Sequence, residues 1–164
     1  TRLWKAVGFL ALLAGTALAI GVFAGSRDVL RPLSGLTAGS GGGVPETRFA
    51  RVKNLAELDA RLQAAGKPVM LDFYADWCVS CKEMEAFTFT DPRVKAKMGQ
   101  MLLLQADVTA NSDEDKALLK RFSLFGPPGI IFFDRQGREI EGLRVVGYQA
   151  ADVFLGSLNR AVKL

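Results

Sequence analysis

The sequence predicts an α/β fold: a central mixed sheet flanked by helices, preceded by one transmembrane helix and a flexible linker. Three observations carry this expectation. Short apolar runs suited to buried strands alternate with helix-patterned segments over residues 47–164. The two cysteines of the chain, Cys78 and Cys81, sit where one such run hands over to a helix. The first 25 residues are almost wholly apolar, and a Gly/Ser-rich stretch separates them from the rest. At 164 residues the chain has room for one ordinary domain and an appendage.

Taken in order, residues 3–24 carry one charge, Lys5. As a helix at ~1.5 Å per residue they reach roughly 33 Å, the span of a hydrocarbon core about 30 Å thick. A secretory signal peptide is the alternative, but its apolar core is shorter, usually about 7–15 residues. Residues 1–25 are therefore assigned as a transmembrane helix. The chain opens on Thr1, so the span is expected to follow further protein. Arg2 and Lys5 before it balance Arg27 and Arg31 after it, so charge sets no orientation. Residues 26–46, with Gly41, Gly42 and Gly43 among Ser, Thr and Pro, read as a flexible tether.

The domain is expected over 47–164. Residues 49–53 suggest a first strand, after which Asn54 caps a helix and Glu57 completes a capping box. Leu55, Leu58, Leu62 and Ala65 fall on one face of that helix, and Gly66 ends it. Residues 68–75 form the central strand, apolar on both alternations because both sheet faces are covered. The cysteine helix runs to about Phe87. Asp91 and Pro92 supply the N-cap and first position of a short helix to Met98. Residues 101–108 make a second buried strand. Asp113, Glu114 and Asp115 open a helix to Phe122, their charges suiting its positive end. Gly126-Pro127-Pro128-Gly129 breaks the chain before strand 130–133. A turn at 134–137, an outer strand in one or two pieces from Arg138 to Val146 and an amphipathic helix over 151–163 complete the domain.

Composition excludes several chemistries. The net charge is +4, but residues 1–44 hold four basic side chains against Asp28, so the domain itself is near neutral. A basic nucleic-acid face is unsupported. With no histidine in the chain, a Cys-His nucleophile pair and a His-ligated zinc site are ruled out. Lys82 after Cys81 rules out the C-x-x-C-H haem motif. No metal and no organic cofactor are expected.

Disulfide exchange needs a partly ionised thiol, and a helix N-terminus favours the thiolate. Cys78 lies at that terminus and is the expected nucleophile. Cys81, one turn further in and less exposed, is expected to resolve the mixed disulfide. A purely structural disulfide is disfavoured because so short a loop constrains little of the unfolded chain. Two carboxylates are candidate acceptors of the Cys81 proton. Asp72 sits in an apolar strand, where burial raises its pKa. Glu85 shares a helical face with Cys78 and Cys81. Pro128 precedes a strand, the setting in which cis X-Pro bonds occur, but adjacent Pro127 leaves open which bond is cis.

These residues resemble the thioredoxin superfamily, in which Asp, Trp-Cys-x-x-Cys and a cis-proline recur. Asp72, Trp77, Cys78, Cys81 and Pro128 match that pattern. YADWCVSCKEME, TFTDPRV, LLLQADVTAN and GPPGIIFFD resemble, more narrowly, the C-terminal periplasmic domain of the DsbD family of thiol:disulfide interchange proteins. The resemblance implies a thioredoxin fold whose only redox group is the Cys78–Cys81 disulfide, with Asp72 and Glu85 beside it and Pro128 as the cis-proline. It implies a protein-disulfide reductase of the bacterial inner membrane, with this domain in the periplasm. Electrons would come from a membrane-embedded dithiol of the same protein. They would pass to an N-terminal periplasmic domain or to other periplasmic disulfide proteins. Trp77, Pro127 and Pro128 would meet the partner. Val79-Ser80 stands where many thioredoxins have Gly-Pro, so no potential carries over. Pro127 lacks an N–H, so a docking partner strand would lose one hydrogen bond and bind weakly and briefly. The alternatives are a single-span reductase for cytochrome c maturation, an oxidase run in the reverse direction, and a non-catalytic binding or chaperone module.

Overall fold

Along the strand Val69–Tyr74, Leu71 and Phe73 point to one side of the sheet and Met70 to the other, all fully buried. That period-2 division explains why the run is apolar throughout: helices cover both faces. The computed structural model describes Val7, Gly8, Leu12 and the continuous stretch 48–163. The predicted membrane span and linker lie outside the described residues. Among those described, no helix is long and apolar enough to cross a membrane.

The elements are β1 (Ala50–Arg51), α1 (Leu55–Ala64), β2 (Val69–Tyr74), α2 (Val79–Glu83), α3 (Pro92–Met98), β3 (Leu102–Asp107), α4 (Asp113–Arg121), β4 (Gly129–Phe133), β5 (Val145–Val146) and α5 (Ala151–Lys163). A π-helical turn, Met84–Thr88, extends α2. The sheet order is β1-β3-β2-β4-β5. β1, β3 and β2 run parallel, whereas β4 and β5 pair antiparallel, which makes the sheet mixed.

One half of the core joins Leu58 and Leu62 of α1, Leu118 of α4 and Phe122 just beyond it to Leu71, Phe73, Leu104 and Ile131 of the sheet. The other joins Met84, Val94, Met98, Phe154 and Leu158 to Met70, Leu103, Ile130 and Phe132. Each such apolar side chain contributes roughly 1.5–3 kcal/mol when fully buried. Cys78 and Cys81 belong to the first half, which anchors the start of α2 at the carboxyl end of β2.

Local signals set the helix starts. Asn54 Oδ1 accepts from Glu57 N–H at 2.9 Å, but Glu57 Oε2 reaches Lys53 N–H (3.1 Å), one residue short of the expected capping box. Asp91 accepts from the N–H groups of Arg93 and Val94, with Pro92 in the first turn of α3. A full capping box opens α4, between Ser112 and Asp115. The outer strand comes in two short pieces. After Phe133 a turn leads to one bridge with Glu139, and Gly142 (φ +70°) interrupts the chain before β5.

Candidate active site

The turn after β2 brings Cys78 N–H to the Ala75 carbonyl at 3.0 Å and sets Cys78 at the N-cap of α2, with extended backbone. Its Sγ takes the place of a capping oxygen, accepting the Cys81 backbone N–H at 3.1 Å. Cys78 and Cys81 form a disulfide with an S–S length of 2.04 Å. Cys78 is 5% exposed and Cys81 3%. The expected contrast in accessibility is therefore small in this state, where each sulfur covers the other. What stands in solvent is their flank: Trp77 at 60% and Val79 at 70% exposure.

Cys81 Sγ lies 3.8 Å from the Phe73 carbonyl oxygen. Phe73 pairs in register with Gly129, the residue after Pro128, which brings the proline segment to the same end of the sheet. The cis bond is Pro127–Pro128. Both prolines are half-buried, and the Pro128 carbonyl accepts Gly147 N–H at 3.1 Å.

Asp72, one residue before Phe73, is 4% exposed. Its carboxyl is pushed up to about 7, first by burial. The Glu85 charge raises it further, while the Gln105 hydrogen bond and the Arg51 charge oppose. Gln105 Nε2 donates to Asp72 Oδ2 at 2.8 Å. Glu85 is also held above the usual carboxylate range by partial burial, against the Gln105 hydrogen bond and the charges of Arg51 and Lys82. Asp72 and Glu85 are thus electrostatic neighbours. The α-helical face expected for Glu85 is modified, because α2 passes into the π turn at Met84, marked by Phe89 N–H on the Met84 carbonyl at 2.8 Å.

Trp77 is fixed from the segment just after β3. Its Nε1 donates to the Thr109 carbonyl (3.3 Å), and Asp76 N–H donates to Thr109 Oγ1 (2.9 Å). Thr109 is in turn held by Asp107 Oδ1, and Asp107 pairs with Arg51 at 2.7 Å.

A thioredoxin-like domain family matches residues 55–161. The chain belongs to this thioredoxin-like family. Within it, the chain is homologous to the thiol:disulfide interchange protein DsbD. It is 56% identical to the DsbD of Ralstonia nicotianae over 167 residues, covering 98% of this chain and 27% of that relative. The chain therefore spans about a quarter of that protein. Among solved structures, the oxidised C-terminal domain of Neisseria meningitidis DsbD is 40% identical with a TM-score of 0.58, over 68% of this chain and 99% of that one. The reduced form is 42% identical with a TM-score of 0.54, over 63% and 89%.

β2, α2 and the start of β4 bring Phe73, Cys81 and Pro128 to one end of the sheet, and Asp72 is the residue before Phe73. Two residues escaped the sequence reading, Gln105 and Thr109. Gln105 carries a signal of the same kind as Asp72, a lone polar side chain in an apolar strand. Thr109 carries none. Among the described residues, no group of His, Cys, Asp or Glu side chains could hold a metal ion.

Proposed function

We propose that this chain is the electron-carrying domain of a membrane-tethered protein-disulfide reductase, with Cys78 and Cys81 cycling between dithiol and disulfide. The carrying observation is Cys78 Sγ seated as the cap of α2, accepting Cys81 N–H and bonded to Cys81 Sγ. The donor that caps the sulfur also stabilises a thiolate there.

In the forward step, Cys78 thiolate attacks one sulfur of a partner disulfide, and the other partner sulfur leaves as thiolate. Cys81 then yields its proton to Asp72 and attacks Cys78 Sγ. The intramolecular disulfide forms and the second partner sulfur leaves, so two electrons pass to the partner. Re-reduction reverses these steps, with Asp72 returning a proton to the departing Cys81. The Phe73 carbonyl, 3.8 Å from Cys81 Sγ, is the acceptor for the resting Cys81 thiol. Glu85 assists by its charge. Exposed Trp77 and the Pro127-Pro128 segment meet the partner, which binds briefly because Pro127 offers no N–H.

The electron donor in this reading is a membrane-embedded dithiol of the same protein. The acceptors are its N-terminal periplasmic domain or other periplasmic disulfide proteins. Residues 1–25 form an inner-membrane span and 26–46 a tether that holds the domain in the periplasm. Support comes from the homology to DsbD and from the three quarters of the Ralstonia relative that lie outside this match.

Insulin reduction tests the assignment. The chain accelerates disulfide reduction by dithiothreitol, and Cys78→Ser returns the rate to that of dithiothreitol alone. Equal acceleration by both would overturn it.

A further inference from the structure

Strand register aligns Arg51 of β1, Gln105 of β3, Asp72 of β2 and Ile130 of β4 in one row across the sheet. Register partners share a face of the sheet. Arg51, at the exposed end of this row, is bound to Asp107. Gln105 is buried between Arg51 and Asp72, and its amide reaches the Asp72 carboxyl at 2.8 Å. An amide offers two N–H donors and a carbonyl acceptor. It can therefore donate to an ionised carboxylate and still bond the protonated acid, which a lysine could not do without holding Asp72 charged.

We propose that Gln105 is the positioning residue for proton transfer, its amide fixing the Asp72 carboxyl. This rests on the assignment of Asp72 as acceptor of the Cys81 proton. The groups facing Asp72 are few. Glu85 comes from the π turn and Arg51 from β1, while Cys81 Sγ reaches the carbonyl of the next residue, Phe73. Lys82 and Asp76 act on Glu85. Asp107 of β3 is engaged by Arg51, and Arg93, at the start of α3, pairs with Asp152 of α5. β4 and β5 carry no titratable side chain. Gln105 is thus the neutral donor among charged neighbours, and its replacement should tune Asp72 in either direction.

The full reduced chain is mixed with dithiobis(nitrobenzoate). Cys78 attack releases one thionitrobenzoate anion, and Cys81 attack on the mixed disulfide releases the second, its own proton passing to Asp72. The rate of the second release is followed against pH. The wild type inflects near the Asp72 value of about 7, and Asp72→Asn removes the inflection. Gln105→Leu moves it upward by roughly one pH unit, the scale of one hydrogen bond to a charged group. Gln105→Lys moves it downward by a similar amount. Gln105→Asn, whose shorter amide falls away from the carboxyl, also moves it upward and covers the case in which the leucine variant does not fold. Opposite shifts are not produced by general loosening of the sheet. An unmoved inflection in the Gln105 variants, or a shift of both Leu and Lys in one direction, overturns the role of Gln105. An inflection that survives Asp72→Asn overturns the proton-acceptor assignment itself.

Discussion

Withdrawing the Asp72 carboxyl from water penalises its charged form, and one amide bond from Gln105 only partly compensates. Because the folded state binds a proton more tightly than the unfolded chain, stability from the protonated form is fully present below the ordinary carboxylate value of 3.8. It is lost as pH rises through the folded value of about 7. Asp72→Asn, which keeps an acceptor for Gln105 but cannot ionise, removes that dependence. Urea denaturation at pH 8 should find the variant more stable, by up to about 4 kcal/mol. At pH 4 the difference should shrink towards zero. Equal stability at pH 8 would show an ordinary, solvated carboxylate. An acid kept at this cost in the middle of a strand is understandable if it takes the proton of Cys81, whose Sγ reaches the carbonyl of the next residue, Phe73. The presence of Asp72 and its raised proton affinity were legible in the sequence. Its partner was not, because Gln105 lies 33 positions away and meets Asp72 only through parallel pairing.

Helix starts and turns follow from side chains within a few residues of each other, which is why Asn54, Asp91 and the acidic opening of α4 could be read directly. The π turn could not. It depends on long-range contacts, among them Thr88 Oγ1 donating to the Gln149 carbonyl (2.5 Å) across to the entrance of α5. Whether the outer strand is one piece or two was open for a related reason: Gly142 breaks it, and Arg144 is drawn to Glu139 and the Phe122 carbonyl. Gly137 ties the turn after β4 to α1. Its φ is +76°, and an added Cβ would stand 2.9 Å from the Leu62 carbonyl oxygen. Gly137→Ala should therefore cost on the order of 1–3 kcal/mol, read as a lowered urea midpoint, with disulfide exchange by the folded fraction unchanged. A midpoint equal to the wild type would show that the turn relaxes freely.

At the scale of the domain, the sheet order β1-β3-β2-β4-β5 puts the carboxyl end of β2 next to the start of β4. That arrangement brings the carbonyl of Phe73, on which Cys81 Sγ rests, and the cis-proline segment to one end of the sheet from separate stretches of the chain. Apolar runs showed that strands existed and that the central one was covered on both faces. Their pairing was not legible, since no local pattern distinguishes β1-β3 from β1-β2. The same arrangement explains how a disulfide only 3–5% exposed can exchange: its exposed surroundings, Trp77 and Val79, give a partner somewhere to dock.

The division of labour between the two sulfurs is tested most directly by trapping. The full chain, reduced and carrying Cys81→Ser or Cys78→Ser, is mixed with a disulfide-containing protein such as insulin, quenched in acid and run without reductant. Cys81→Ser should accumulate a mixed disulfide through residue 78, and Cys78→Ser should accumulate almost none. Equal trapping by the two variants, or adducts carried by Cys81 alone, would contradict the assignment of Cys78 as the attacking sulfur.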